Sequence, residues 1–132
     1  MTDRVLLRVE VDELPDFALA ANARRNAHWS TQAKATAIER ERWTWLLKPW
    51  GPADDKTIKV PVRVTFGFRF ADKRQRDIDG FSAATKPLMD AMVDLAWLYG
   101  DDTRWVKGVS YEVLEDGEPR TVITITEAEG GG

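Results

Sequence analysis

The sequence predicts an α+β domain in which a small mixed or antiparallel β-sheet packs against two helices. Two kinds of segment carry this prediction: some alternate apolar and polar residues, and others place apolar residues at three- and four-residue steps. The 132 residues are enough for one domain with a hydrophobic core. We expect residues 1–127 to form that domain and the glycine-rich residues 128–132 to be a flexible tail.

Two strands are predicted from alternation of period two. Residues 4–11 place Val5 and every second residue after it on one side. Residues 58–70 give the strongest strand signal, because valine and phenylalanine share one face while basic and threonine side chains share the other. Pro61 cannot donate a hydrogen bond to a neighbouring strand, so this end is expected at a sheet edge or beside a β-bulge.

Two further strands are predicted near the end of the chain, over residues 105–114 and 120–127. The connecting residues 115–119 include Asp116, Gly117 and Pro119, which favour turns. The pattern therefore predicts a β-hairpin.

The first predicted helix begins near Ser30 or Thr31, either of which is a good N-cap, and ends near Lys48, before Pro49. Its apolar stripe is predicted to consist of Ala35, Ile38, Trp45 and Leu46.

The second predicted helix spans roughly residues 81–97. Because proline is tolerated in a first turn and disruptive further in, Pro87 indicates that the regular part begins close before it. Lys86 would then lie in the first turn.

The composition excludes several kinds of site. The chain has no cysteine and a single histidine, His28, so disulfides, thiolate chemistry and a histidine-rich zinc centre are excluded. No apolar run approaches the ~20 residues that cross a bilayer, and the first residues do not resemble a signal peptide. We expect a cytoplasmic protein with no membrane association.

Charge is distributed unevenly along the chain. Residues 18–76 carry thirteen basic and five acidic side chains, whereas residues 77–132 carry four basic and twelve acidic ones. Such asymmetry is typical of proteins that bind a polyanion, although ordinary solvation of different surfaces explains it equally well.

Two acidic pairs lie on either side of the second helix. Asp77 and Asp79 are two residues apart and can point the same way at the end of an extended segment, and Asp101 and Asp102 follow the helix. Carboxylate oxygens are the ligands that Mg²⁺ prefers. The pairs meet only if the chain after the helix returns toward the strand before it. The alternative is that these residues cap a helix and solvate a turn.

Lys86 lies between the two pairs, four residues before Asp90. A surface ion pair with Asp90 is one interpretation, worth about 0.2–0.5 kcal/mol. The other is a positive charge offered to a phosphate.

Residues 76–102 resemble the central pattern of RusA-type Holliday junction resolvases, which occur in bacteria and in phages. The resemblance is carried by three motifs, which are Arg76-Asp77-Ile78-Asp79, Lys86-Pro87-Leu88-Met89-Asp90-Ala91-Met92 and Gly100-Asp101-Asp102. It extends more weakly over most of residues 15–127. Gly80 departs from the family, which commonly has asparagine there, and the spacing from Asp79 to Lys86 is about three residues longer than in the bacterial prototype.

The resemblance implies a RusA-like fold and a set of functional residues. Asp77, Asp79 and Asp102 fall on the family's metal-binding positions, and Lys86 falls on its catalytic lysine. It also implies one or two Mg²⁺ ions, with Mn²⁺ as a substitute, that support hydrolysis of a DNA phosphodiester. Lys86 would stabilise developing negative charge. Two symmetric cuts in a four-way junction favour a homodimer.

Phosphate contacts are expected from the basic part of the chain. The predicted DNA-binding residues are Arg24, Arg25, His28, Lys34, Arg63, Arg69, Lys73, Arg74 and Arg76. His28 is equally well explained as a structural histidine, and the tryptophans more often serve as core or dimer contacts than as stacking platforms.

Two alternatives to a resolvase remain open from the sequence. One is a weak or inactive relative that binds branched DNA. The other is a protein whose carboxylates bind Ca²⁺ or a partner, which the basic middle segment disfavours.

Overall fold

The computed structural model describes residues 4–17, 29–52, 57–72 and 79–128, with residues 29–32 and 79 described by their backbone alone. In this part of the chain, four strands and two α-helices form an α+β fold, which confirms the predicted fold class. In chain order the elements are β1 (Val5–Val11), α1 (Trp29–Leu47), a short 3₁₀ helix (Lys48–Trp50), β2 (Val62–Arg69), α2 (Asp79–Asp94), β3 (Val106–Val113) and β4 (Arg120–Glu127).

The four strands form one mixed sheet in the order β1-β4-β2-β3. β4 is antiparallel to both β1 and β2, whereas β3 is parallel to β2. The predicted hairpin is therefore wrong, because β2 lies between β3 and β4. The connection instead crosses the end of β2, where the Gly117 amide donates to the Phe70 carbonyl over 2.9 Å. Turn residues identify a reversal of the chain without specifying which strand becomes the neighbour.

β2 supplies the centre of the core, as its alternation predicts. Its inward residues Val62, Val64, Phe66 and Phe68 are fully buried. Pro61 lies beside an irregularity in the sheet, as expected, because the pairing of β2 with β3 shifts register between Val62 and Arg63.

α2 packs on the inward face of β2, where Phe81 contacts Phe68. α1 packs against α2 and β1, through a face that the sequence did not indicate. Trp43 and Leu47 are fully buried, whereas Ile38 and Trp45 of the predicted stripe are 67% and 66% exposed. The buried face includes the carboxylate of Glu39, which is why apolar periodicity missed it. No helix in the described part of the chain is long and apolar enough to cross a membrane.

Glu39 is buried because donors surround it. Its carboxylate accepts hydrogen bonds from the Asp16 amide at 2.7 Å, Arg42 Nε at 2.7 Å and Trp43 Nε1 at 3.3 Å. Arg42 also donates to the Leu14 carbonyl at 2.9 Å. A buried carboxylate is costly unless it is paired and hydrogen-bonded. This cluster therefore satisfies Glu39 and ties the residues after β1 to α1.

α2 begins earlier than Pro87 indicated. Its first residue is Asp79, so Pro87 lies eight residues further in and is buried. Proline's φ suits a helix, although its missing amide leaves one hydrogen bond unmade. Core contacts offset that loss, because Phe81 in the first turn packs edge-on against Phe68 with ring centroids 5.2 Å apart. Lys86 consequently lies near the middle of the helix.

The chain leaves α2 through a left-handed residue, Ala96, with φ of 59°. The amide of Trp97 donates to the Met92 carbonyl over 3.0 Å, which closes the helix end. Trp97 and Leu98 are then each only 3% exposed. The reversal after α2 is thus accompanied by two buried side chains.

The two neighbouring tryptophans of α1 test which face is buried. We expect Trp43→Ala to lower the free energy of unfolding by about 3–5 kcal/mol, because it leaves a cavity in the core. Trp45→Ala removes an exposed ring that lies against Lys48 Nζ, and is expected to cost about 1 kcal/mol or less. Urea unfolding measures both. Equal losses would show that α1 is rotated from the position described.

Candidate functional site

Lys86 lies between two carboxylates. Its Nζ is 2.5 Å from Asp101 Oδ2 and 3.1 Å from Asp90 Oδ1. The contact with Asp90 is the one expected from their spacing on a helix, and it is confirmed. The contact with Asp101 joins the middle of α2 to the turn before β3. The hydrogen bond with Asp101, followed by that with Asp90, raises the pKa of Lys86, so the ammonium is charged at neutral pH.

The turn that carries Asp101 is held at one end by the segment before β2 and at the other by the first residue of β2. The Ile58 amide donates to the Trp97 carbonyl, and the Val62 amide donates to the Trp105 carbonyl, each over 2.8 Å. Within the turn, the Asp102 carbonyl accepts from the amides of Trp105 and Val106 at 3.0 and 2.9 Å. These bonds return the chain toward α2 and bring Asp101 to Lys86.

Asp102 faces a different partner from Asp101. Its carboxylate accepts from the Arg104 amide at 2.9 Å and from Arg104 Nε and Nη2 at 3.1 and 2.9 Å. The side-chain hydrogen bond with Arg104 holds the pKa of Asp102 below its usual value. The Asp102 side chain is 46% exposed. It is therefore a charged carboxylate that solvent can reach.

The donor chemistry of Asp102 suits a hard cation, since Mg²⁺ takes carboxylate oxygens and keeps several waters. The other predicted ligands, Asp77 and the side chain of Asp79, lie outside the described residues. The backbone of Asp79 opens α2, seven residues before Lys86, or about 10 Å along the helix axis. Among the described side chains, no group of three acidic or histidine residues could hold a metal ion. The three-carboxylate site stays a prediction.

A second ion pair extends this cluster to α1. Arg40 donates to both carboxylate oxygens of Asp94, with Nε and Nη2 each 2.6 Å from an oxygen. Arg40 Nη1 also lies 3.9 Å from Asp90 Oδ2. Opposite charges therefore alternate from Asp94 through Arg40, Asp90 and Lys86 to Asp101. The sequence could not reveal this arrangement, because Arg40 and Asp94 are 54 residues apart.

A pocket of about 190 Å³ lies beside Lys86, between α2 and β3. Lys86, Asp101 and Ser82 contribute its polar groups, and Met89, Val106 and Val109 contribute apolar ones. Thr85 and Tyr111 also line it, with their hydroxyl oxygens 3.3 Å apart. The sequence gives no sign of this pocket, because the pocket exists only once β3 lies parallel to β2 next to α2.

Most of the predicted DNA-binding residues lie outside the described part of the chain, namely Arg24, Arg25, His28, Lys73, Arg74 and Arg76. Lys34 is exposed on α1. Arg69 lies on the sheet face opposite the helices and donates from Nε to the Glu118 carbonyl at 2.7 Å. The structure does not bring Lys34 and Arg69 together on one surface.

No known protein-family model matches the chain, and no curated protein matches it significantly. The resemblance to RusA-type resolvases stays a prediction from the sequence pattern.

The pair between Arg40 and Asp94 predicts a pH-dependent contribution to stability. Its hydrogen bond lowers the pKa of Asp94, so the pair stabilises the fold above the unfolded-state pKa of about 3.9 and loses effect as pH falls through the lower folded-state pKa. Arg40 and Asp94 are 46% and 37% exposed, so we expect Arg40→Met to cost only about 0.5–1 kcal/mol at neutral pH. This difference should shrink below about pH 4.

Urea unfolding of the wild type and Arg40→Met across that pH range measures this effect. Asp94→Asn and the double variant complete a cycle that isolates the pair from the contact of Arg40 with Asp90. A coupling free energy that does not change with pH would contradict the assignment.

Proposed function

We propose that this protein is a Mg²⁺-dependent endonuclease that resolves four-way DNA junctions by paired phosphodiester hydrolysis. The observation that carries the proposal is the contact between Lys86 and Asp101. It joins two parts of the RusA-like pattern that lie 15 residues apart in the sequence. A helix lysine beside an acidic turn supplies a cation and carboxylates at one place, as hydrolysis of a phosphodiester requires.

The proposed metal ligands are Asp77, Asp79 and Asp102. Asp102 supports this role because it is ionised and exposed. Bound Mg²⁺, or Mn²⁺ in its place, would supply charge neutralisation at the phosphate and activation of water. Arg104 would have to share or release the Asp102 carboxylate when the cation binds, which its own 80% exposure permits.

Lys86 is proposed to stabilise the negative charge that develops on the phosphate. Its side chain is 57% exposed although it contacts two carboxylates. A phosphate can therefore reach the ammonium without disrupting the core. Asp101 and Asp90 hold the ammonium in position before the substrate arrives, which reduces the cost of ordering a flexible side chain.

The proposed substrate is a four-way junction or other branched DNA, and the proposed assembly is a homodimer acting in the cytoplasm of a bacterial or phage-infected cell. Lys34 and Arg69 would contact phosphates on separate surfaces, together with the basic residues at positions 24, 25, 28, 73, 74 and 76. A twofold dimer presents two such sets to the two strands that are cut.

A second candidate is a weak or inactive protein that binds branched DNA. Its support is the pairing of Lys86 with two carboxylates, together with Gly80 in place of the family's asparagine. Packing does not require glycine there, because a Cβ at Gly80 would meet nothing within 4 Å in the described structure. Cleavage activity distinguishes the two candidates.

The test is incubation of the purified protein with a synthetic four-way junction and with plain duplex, in Mg²⁺ and in EDTA. We expect paired symmetric nicks in the junction alone, and only with Mg²⁺. Lys86→Met should lower the cleavage rate constant about 10²–10³-fold, because one charge-stabilising donor is lost.

The matched control is Lys59→Met, which removes an exposed lysine on the segment before β2 and should leave the rate constant unchanged. Tight junction binding without nicks would favour the inactive relative. No binding would reject both candidates.

Substitutions of the two neighbouring aspartates in the turn should differ in their effect on the Mg²⁺ dependence of cleavage. Asp102→Asn is expected to raise the Mg²⁺ concentration for half-maximal cleavage about tenfold or more, because it removes a ligand. Asp101→Asn should lower the cleavage rate constant, because Asp101 holds the Lys86 ammonium in position. It should leave the Mg²⁺ dependence unaltered. A Mg²⁺ titration of the cleavage rate for each variant measures this difference. A shift in Mg²⁺ dependence with Asp101→Asn and none with Asp102→Asn would assign the ligand role to Asp101.

A further inference from the structure

The pocket beside Lys86 has no role in the chemistry proposed above. We propose that it receives a single unstacked nucleobase from the DNA strand that is cut. This inference rests on the proposed function. It adds a contact between the protein and a base to the proposed contact between Lys86 and a phosphate.

The pocket lies directly beside the proposed phosphate contact. Lys86 lines the pocket and is also the proposed phosphate contact. A nucleobase is attached to the sugar next to its phosphate. A strand whose phosphate lies at Lys86 Nζ therefore has a base within reach of the pocket between α2 and β3.

The size of the pocket fits one base better than a larger ligand. At about 190 Å³ it is smaller than the ~300–1,000 Å³ of pockets for drug-sized molecules. A single heterocyclic base has this scale.

The lining offers both surfaces that a base needs. Met89 and Val106 are each 7% exposed and, together with the Tyr111 ring, provide apolar contact for the faces of a flat ring. A base extruded from the helix is recognised by such contacts together with hydrogen bonds to its edge.

The hydroxyl groups fix which hydrogen bonds remain available. Thr85 Oγ1 donates to the Phe81 carbonyl at 2.8 Å, so in its 3.3 Å contact with Tyr111 the tyrosine hydroxyl donates. The Tyr111 oxygen is then left as an acceptor. Asp101 is a second acceptor on the pocket lining. These acceptors suit the exocyclic amino group of a base.

A base at a branch point is the accessible candidate, because unpairing and unstacking cost least where a base is not held in a regular duplex. The test places 2-aminopurine, which brightens on unstacking, at each position flanking the branch of a synthetic junction. Ca²⁺ replaces Mg²⁺, and anisotropy reports binding in the same sample. We expect a several-fold rise in fluorescence at one position when the wild type binds.

Two variants on β3 provide the comparison. Val109→Phe fills the pocket from its 39% exposed rim and should abolish the rise while junction binding persists. Val113→Phe adds the same ring at an inward-facing, 58% exposed position that does not line the pocket, and should behave as the wild type. If Val109→Phe fails to unfold cooperatively, Tyr111→Phe replaces it and should reduce the rise by removing the acceptor.

The outcomes separate this inference from the proposed function. Binding with no rise at any position, or an equal rise with Val109→Phe, overturns the nucleobase site and leaves the resolvase proposal standing. An absence of junction binding by the wild type rejects both.

Discussion

The parallel pairing of β2 with β3 is the constraint on which the candidate site depends. Parallel neighbours cannot be joined by a tight turn, so the chain must return along the length of the sheet before β3 begins. Here α2 and the following turn make that return. The same path buries Phe81 and Leu88 and brings Asp101 beside Lys86. Packing of the core and assembly of the charged cluster are therefore results of one connection.

The sequence predicts the elements of this fold better than their arrangement. β4 has the predicted bounds, and β2 has the predicted buried face. Alternation is a local signal that burial on one face imposes directly. Strand order is not local, and the turn residues 115–119 looked like a hairpin although β2 separates the strands they join. The buried face of α1 was missed because the polar Glu39 lies on it.

The same distinction applies to the charged cluster. The contact of Lys86 with Asp90 could be predicted, because both residues lie on one helix face. The contacts of Lys86 with Asp101 and of Arg40 with Asp94 could not, because they depend on the path of the turn and on how α1 packs against α2. The position of Lys86 was also misjudged, since Pro87 is accommodated inside α2. The contact of Asp102 with Arg104 was not anticipated either, and the metal-binding role of Asp102 stays a prediction.

Ala96 has a consequence for how firmly the acidic turn is held. A left-handed backbone is unfavourable for alanine by about 1–2 kcal/mol, whereas glycine adopts it readily. Local preference therefore does not form this reversal, and the burial of Trp97 and Leu98 must maintain it. Loosening of the core near these two side chains would allow Ala96 to leave the left-handed conformation. Asp101 would then move away from Lys86. The charged cluster would then lose its geometry through local opening at this turn, without global unfolding.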